Sequence, residues 1–194
     1  MKNEKGIIIV VEGPSGVGKD AIVKSLMEHY PNMFEKVPSM TTREMREDES
    51  QGHPYFFVDE KTFLEYINSG HVFEHTIRHN TYRGMSKHLF DDVLNRKLFP
   101  VKDCDPVGYR ALKKIYGNKV LGIFITCPKE LIHERLINRG ETGESLKIRL
   151  NNYDEYIKNK VIYDCEVENI DLNKATEEIY NIIVDFYNNI KEKE

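Results

Sequence analysis

Cysteine is scarce in this sequence of 194 residues, and an excess of positive charge is missing. The three cysteines, Cys104, Cys127 and Cys165, lie far apart and form no CxxC pair, which argues against a structural zinc site or a disulfide framework. The formal net charge is −4 at pH 7, so a polyanionic ligand must be held by a local basic cluster. We therefore expect reduced thiols and no nucleic-acid partner.

Long apolar segments are also missing. The apolar run near the amino terminus covers only residues 7–11, far fewer than the ~20 residues of a membrane span. We therefore expect no membrane partner and a cytoplasmic location. The remaining composition, 40% hydrophobic and 31% charged, is ordinary for a globular protein and argues against a disordered or fibrous chain.

Apolar segments with strand character alternate with segments of helical spacing. The predicted strands cover residues 7–11, 98–101, 120–126 and 165–167, and the predicted helices cover residues 20–30, 107–115, 129–138 and 174–190. This alternation favours a parallel sheet covered by helices. The length suits one α/β domain with room for excursions from its core.

Two segments depart from the alternating pattern. The middle of the chain mixes strand-like and helix-like pieces with turn residues, and "RGETGESLKIRLNNYDEYIKN" is polar, charged and begins at a turn. We expect a single domain with a core at residues 1–40, 87–139 and 160–194. A small α+β insertion at residues 41–86 would bind an acceptor, and a helical lid would cover residues 140–159.

The stretch "GPSGVGKD" fits the phosphate-loop pattern G-x-x-x-x-G-K between a predicted strand and a predicted helix. Glycines let backbone N–H groups turn toward phosphates, the helix start adds positive potential, and a lysine bridges phosphate oxygens. The alternative is a glycine turn that only joins strand to helix. The residues predicted to hold the nucleotide are Gly13, Ser15, Gly16, Val17, Gly18, Lys19 and Asp20.

Asp20 stands where the pattern has a serine or threonine whose hydroxyl binds Mg²⁺. A carboxylate also binds Mg²⁺, directly or through water, but it adds negative charge beside the phosphates. Alternatively, Asp20 only favours the first helical turn through the helix dipole. The sequence leaves both interpretations open.

Arginines, hydroxyls and a phenol gather in "SMTTREMREDESQGHPYFFV". Guanidinium groups make two-point contacts with phosphate oxygens, and hydroxyls add lateral hydrogen bonds. The segment therefore predicts a monophosphate pocket, although a solvated loop is the plainer alternative. The candidate ligands are Ser39, Arg43, Arg46 and Tyr55.

These motifs, together with four others, resemble those of the guanylate kinases. The resemblance runs from residue 6 to about residue 183 through "GPSGVGK", S-x-TTR-x-x-R, G-x-x-Y-x-F-V, G-x-x-x-E-H, D-x-D-x-x-G and "ERLINRG". Several separate motifs in one order are more specific than a phosphate loop alone. The resemblance implies a three-layer P-loop kinase that transfers phosphate from ATP, with Mg²⁺, to GMP and dGMP.

The resemblance also implies a role for each matching residue. Ser39, Arg43, Arg46 and Tyr55 would hold the GMP phosphate, and Glu74 and Asp105 would read the N1–H and N2–H donors of guanine. Asp103 would lie close to the metal and its waters, where Asp20 would also bind. The expected catalytic residues, which neutralise charge on the transferring group, are Lys19, Arg43, Arg135, Arg139 and Arg149.

The chain departs from the family where Y-Y-G-[ST] is usual, because it has Tyr82, Arg83, Gly84 and Met85. We expect Tyr82 and Arg83 to bind the acceptor, with Arg83 serving its phosphate in place of the second tyrosine. Met85 cannot donate a hydrogen bond to the base, so guanine selection would rest more heavily on Glu74 and Asp105. The spacing from Arg139 to Arg149 in the lid is one residue short.

Two alternative functions remain open from the sequence. Lys19 followed by Asp20 is similar to the ribose bisphosphate phosphokinases, which phosphorylate a sugar phosphate, although the chain keeps Arg46, Tyr55 and Glu74 for nucleotide recognition. An inactive guanylate kinase-like module would bind a phosphorylated partner, but it has no use for Lys19 and three lid-side arginines. As an enzyme acting on small nucleotides, the protein would be a monomer or a homodimer.

Overall fold

A computed structural model describes residues 6–193. The predicted core also includes residues 1–5 and 194, which lie outside the described residues. The strands are β1 (Ile8–Glu12), β2 (Phe34–Lys36), β3 (Ser39–Thr41), β4 (Tyr55–Phe57), β5 (Val72–Arg78), β6 (Thr81–Ser86), β7 (Phe99–Asp103), β8 (Val120–Thr126) and β9 (Cys165–Glu168). The helices are α1 (Lys19–His29), α2 (Glu60–Asn68), α3 (Lys87–Asn95), α4 (Pro106–Tyr116), α5 (Lys129–Asn138), α6 (Gly143–Asn151), α7 (Tyr153–Ile157) and α8 (Leu172–Lys191).

The larger sheet has the strand order β2-β7-β1-β8-β9, and every neighbouring pair is parallel. Every residue of β1 and β8 is buried, as expected for strands covered on both faces. Alternate β1 residues enter different cores: Ile9 and Val11 pack in a cluster with α1, α5 and α8, and Ile8 and Val10 pack in a cluster with α3 and α4. The predicted three-layer α/β fold is confirmed.

The strand order places β1 at a topological switch point. β1 lies between β7 on one side and β8 on the other. The loops that follow these neighbouring strands therefore lead away from each other at the carboxyl edge of the sheet. Ligands of open α/β sheets bind in the crevice at such a point. The loop after β1, residues 13–18, occupies it.

A smaller sheet has the order β4-β3-β6-β5 and lies between β2 and α3 in the sequence. Its hydrophobic core is formed by Met40, Phe63 from α2 and Val72, all less than 5% exposed. β3 starts at Ser39, two residues before the predicted start of the insertion, and only Val37 and Pro38 separate it from β2. The two sheets are therefore joined by a very short connection.

The segment predicted as a lid contains α6 and α7, which have no buried residues. It is anchored by Tyr153, whose hydroxyl donates to the carbonyl of Cys127 over 2.9 Å. All three cysteines are free, with Cys127 buried and the other two half-buried. Within residues 6–193, no helix is both long enough and apolar enough to cross a bilayer.

Candidate active site

The loop after β1 needs glycine at two positions for different reasons. A Cβ atom on Gly13 would lie 2.2 Å from the carbonyl oxygen of Ile125, so the backbone of β8 excludes any side chain there. Gly18 has φ of +96°, and a Cβ atom would lie 2.5 Å from Nδ2 of Asn169. The loop is therefore packed tightly against β8 and Asn169, with a backbone conformation that favours glycine.

Lys19 begins α1, and its ammonium folds back over the loop. Nζ donates to the carbonyl oxygens of Gly13 and Pro14, the latter over 3.2 Å. Glu12, at the end of β1, is 5% exposed, and its burial, opposed chiefly by the charge of Lys19, raises its pKa from 4.5 to about 7. A buried carboxyl group thus lies directly under the phosphate loop.

Arg135 supports the loop from α5. Its guanidinium donates to the carbonyl oxygens of Val17 and Ile170, each over 3.2 Å. Asn169 donates to the same Val17 oxygen over 2.7 Å. Arg135 therefore lies beside the phosphate loop, where its partners are these two backbone carbonyls and, over 3.4 Å, Sγ of Cys127.

The lid contacts the loop through Arg149. Nη1 of Arg149 donates to Oγ of Ser15 over 2.5 Å, and Nη2 pairs with Glu141 at 3.1 Å. Arg139, at the end of α5, is exposed, and its charge is among the factors that lower the pKa of Asp20. The structure therefore brings all three predicted lid-side arginines into the neighbourhood of the loop.

Asp20 lies in the first turn of α1 and pairs with Lys36, at the end of β2. The distance from Lys36 Nζ to Asp20 Oδ1 is 2.9 Å, and this hydrogen bond is the main reason that the pKa of Asp20 is lowered. The Asp20 side chain remains 79% exposed. The carboxylate is thus ionised beside the loop with its extra charge balanced by a lysine.

The two carboxylates predicted to bind metal suit Mg²⁺ in part. Asp20 and the exposed Asp103, at the end of β7, supply the hard oxygen ligands that Mg²⁺ prefers. Among residues 6–193, no group of three or more His, Cys, Asp and Glu side chains is arranged to hold a metal. The donor set therefore fits an ion that takes its remaining ligands from phosphate oxygens and water.

A cleft of about 490 Å³ lies between the two sheets. A second cleft of about 1250 Å³ shares part of this wall and extends to Asp20, at the start of α1, and to Lys36, at the end of β2. The walls of both include Ser39, Tyr55, Arg83, Lys102 and Asp103. The predicted acceptor pocket is therefore continuous with the approach to the phosphate loop.

Cations gather around Tyr55 in one part of this cleft. The guanidinium carbons of Arg83 and Arg43 lie 4.4 Å and 5.5 Å from the centre of its ring. Arg43 also binds both carboxylate oxygens of Glu49, over 2.6 and 2.8 Å, which fixes the direction of its fork. Together with the hydroxyl of Ser39, these groups give one part of the cleft, which we call the cationic wall, positive charge and hydrogen-bond donors.

Two carboxylates line another part of the cleft. Asp105 caps α4 by accepting from the N–H groups of Val107 and Gly108 through Oδ1. Burial, followed by the charge of Asp105, raises the pKa of Glu74. Met85 lies beside Gly108 in this part of the cleft and is 2% exposed. Its side chain is apolar, so this position provides no hydroxyl donor to a ligand.

Two predicted acceptor ligands lie outside the lining of the cleft. Arg46 is exposed, and its backbone N–H donates to Glu49 over 2.9 Å. Tyr82 packs against Phe63 within the small sheet, with 5.3 Å between ring centres. Their contacts with an acceptor stay predictions.

Three charged residues of the site, Glu12, Lys36 and Lys102, are absent from the sequence prediction. Each lies in or at the end of a core strand, beside apolar neighbours such as Val11 and Val101. For Glu12 and Lys102 the available signal was a charged residue that directly follows buried apolar residues of a strand, since such positions are normally apolar. Lys36 gave no such signal, because its strand, Phe34–Lys36, also contains Glu35. No spacing motif identifies their partners.

The parallel sheet, the phosphate loop at its switch point and the adjoining charged cleft define a P-loop kinase. The guanylate kinase family model matches residues 5–186. The chain is 33% identical to the guanylate kinase of Wolinella succinogenes, over 94% of this chain and 85% of that protein, and 35% identical to that of Mycoplasma mobile, over 92% of each. The chain belongs to the guanylate kinase family.

Solved structures agree with this assignment. A guanylate kinase from Anaplasma phagocytophilum superposes with a TM-score of 0.67 at 25% identity, over 95% of this chain and 88% of that chain. A gluconokinase from Sinorhizobium meliloti superposes with a TM-score of 0.53 at 15% identity, over 98% and 99% of the two chains. The second likeness concerns the fold alone.

Proposed function

We propose that the protein transfers the γ-phosphate of ATP to GMP, and to dGMP, giving ADP with GDP or dGDP. One observation carries this proposal: the cleft beside the phosphate loop combines an arginine-rich wall with two carboxylates, Glu74 and Asp105. This combination complements a nucleotide that has an anionic phosphate and a base with hydrogen-bond donors. The relatives named guanylate kinase support the same activity.

Guanine would be selected by the carboxylates. Its Watson–Crick edge presents N1–H and N2–H donors, whereas adenine presents an acceptor at N1, so only guanine matches two acceptor groups. Asp105 uses Oδ1 to cap α4, which orients its other oxygen rigidly. Met85 is buried and has no hydrogen-bond donor to offer the base, so selection would rest on Glu74 and Asp105.

The acceptor phosphate would be held by the cationic wall. Arg43 and Arg83 supply guanidinium donors beside the Tyr55 ring, and Ser39 supplies a hydroxyl. Arg46 and Tyr82 would join them on closure of the small sheet toward the core. An ordered phosphate oxygen is already a nucleophile, so no general base or covalent intermediate is required.

The triphosphate would lie on the loop, with its oxygens bound by backbone N–H groups and Lys19. Arg149, together with Arg135 and Arg139, would neutralise charge on the transferring phosphoryl group while the lid excludes water. Mg²⁺, when bound, supplies further neutralisation of the β and γ oxygens. Asp20 and Asp103 would hold it together with water. The free thiols suit a cytoplasmic enzyme.

The test is ADP release from Mg·ATP with GMP, dGMP, AMP, UMP, CMP and ribose 1,5-bisphosphate in separate reactions. We expect turnover with GMP and dGMP, and a Glu74→Gln variant that loses most of its preference for GMP over AMP while it still binds phosphate. A Lys19→Met variant, which removes the ammonium from the loop, controls for contaminating kinases. Turnover confined to the sugar bisphosphate, or an unchanged base preference in Glu74→Gln, would refute the proposal.

A further inference from the structure

Lys102 is a buried lysine in the wall of the acceptor cleft. Lys102 is the next-to-last residue of β7 and is only 4% exposed. Its neighbour Val101 is fully buried in the core on the other face of the sheet, with α1, α5 and α8. Burying an ammonium group is unfavourable unless its N–H donors and its charge find partners. The contacts of Lys102 therefore indicate what the residue is for.

Two protein acceptors bind the ammonium. Nζ donates to Oγ of Ser39 over 2.8 Å and to the carbonyl oxygen of Val37 over 3.2 Å. Val37 lies on the short connection from β2 to β3 that joins the two sheets, and Ser39 is the first residue of β3. Lys102 therefore fixes Ser39, a predicted ligand of the acceptor phosphate, to the rigid core sheet.

The hydrogen bond also sets the direction of the Ser39 hydroxyl. An ammonium only donates, so the Ser39 oxygen must accept, and its own proton is available to a different acceptor. Ser39 and Lys102 both line the two clefts. A hydroxyl held in this way is preorganised to donate to an anion in the cleft.

The charge around Lys102 is incomplete without such an anion. Among residues 6–193, no carboxylate lies within hydrogen-bonding distance of its ammonium. Burial lowers the pKa of Lys102; Asp103 opposes this effect, and Arg83 and Lys36 add to it. A bound phosphate would supply the missing negative charge.

We propose that Lys102 is a positioning residue for the acceptor phosphate: it orients the Ser39 hydroxyl toward that phosphate and places a positive charge behind it. This inference rests on the proposed function, because it assigns the phosphate of the acceptor nucleotide to this wall of the cleft. It concerns the acceptor alone, since the ATP phosphates belong to the separate loop after β1.

The first experiment compares Lys102→Met with Lys113→Met, which removes a lysine that pairs with Asp164 outside both clefts. We expect Lys102→Met to raise KM for GMP by about 30-fold, the size of one charge-assisted hydrogen bond. KM for ATP should change by less than about twofold and Tm should not fall, because a buried charge has been removed. Lys113→Met should leave both KM values unchanged.

Two further variants separate positioning from packing. Lys102→Gln keeps an N–H donor without the charge and should recover part of the affinity for GMP. In a Ser39→Ala background, Lys102→Met should raise KM by only about threefold, since it acts mainly through the missing hydroxyl. An unchanged KM for GMP, equal losses for GMP and ATP, or a failure of both Lys102 variants to fold would overturn the proposal.

A second measurement separates this inference from the choice of GMP as acceptor. Inorganic phosphate is titrated into Lys19→Met protein, with the phosphate loop weakened, and Tm is recorded with and without Lys102→Met. We expect phosphate to raise Tm only when Lys102 is present. If the wild-type enzyme does not phosphorylate GMP, the proposed function fails. The Tm increase caused by inorganic phosphate, with and without Lys102, still tests the role of Lys102.

Discussion

At the scale of single residues, the pair of Asp20 and Lys36 explains how a phosphate loop accommodates an extra carboxylate. Lys36 lies on β2, 2.9 Å from Asp20, and both side chains are substantially exposed. The pair restores approximate neutrality beside the loop, so the carboxylate adds little repulsion toward a triphosphate. It also leaves one Asp20 oxygen for a metal ion or its water.

Substitutions of Asp20 separate its charge from its oxygen ligands. Asp20→Ser should keep the turnover rate within about threefold, because a hydroxyl also binds Mg²⁺, and it should lower KM for Mg·ATP since the charge of Lys36 is then left unbalanced beside the loop. Asp20→Ala should require a several-fold higher Mg²⁺ concentration for half-maximal rate. Titration of Mg²⁺ at fixed ATP measures this requirement. An unchanged Mg²⁺ concentration for half-maximal rate in Asp20→Ala would show that Asp20 pairs with Lys36 but does not bind the metal.

Residues inside sequence motifs could be predicted, and isolated buried charges could not. Lys19, Arg43 and Glu74 belong to family motifs, and the structure places Arg43 and Glu74 in the wall of the smaller cleft and Lys19 over the phosphate loop. Lys102 and Glu12 belong to no pattern. Their environment comes from distant segments, Ser39 in one case and Tyr156 in the other, which only the folded chain brings together.

At the scale of elements, the long core strands and helices follow from their apolar spacing, and the short elements do not. β8 and α5 have the predicted bounds. β2 has only three residues and one buried side chain, Phe34, too few to show a period. α3 has apolar residues at helical spacing, including Phe90 and Val93, but it is absent from the helices predicted from the sequence.

The lid helix α6 allows a test at the same scale. Arg149→Met should lower kcat by about 100-fold and leave KM for GMP nearly unchanged if, as proposed, the Arg149 charge acts on the transferring phosphoryl group. Lys147→Met removes a charge from the same exposed helix and serves as the matched control. Steady-state kinetics with both substrates provide the measurement, and a kcat within about threefold of wild type in Arg149→Met would remove Arg149 from the catalytic group.

At the scale of the whole molecule, the site concentrates charge at the junction of the two sheets, although the net charge is only −4. The positive charge of Lys19 interacts with Glu12 beside the loop. In the clefts, Lys102 interacts with the negative charge of Asp103 and the positive charge of Arg83. Apolar packing elsewhere in the core sheet must offset the cost of burying such groups. The charged groups proposed to bind substrates at this junction therefore lower the stability of the folded protein.

Glu12 makes this opposition measurable as a dependence of stability on pH. Burial raises its pKa from 4.5 to about 7 in the folded protein, so between these values the folded state binds a proton that the unfolded state has released. The free energy of unfolding therefore receives a contribution from Glu12 that is full below pH 4.5 and is lost as pH rises toward 7. The loss corresponds to about 3 kcal/mol for a shift of this size.

The Glu12→Gln variant removes that contribution. Denaturant unfolding of the nucleotide-free protein at several pH values should show similar stabilities for variant and wild type near pH 4.5, and a variant more stable by about 2 to 3 kcal/mol at pH 8. Glu144→Gln, on the exposed face of α6, should follow the wild-type curve throughout. Parallel curves for Glu12→Gln and wild type would mean that Glu12 is charged at little cost in the folded protein, with Lys19 as its effective partner.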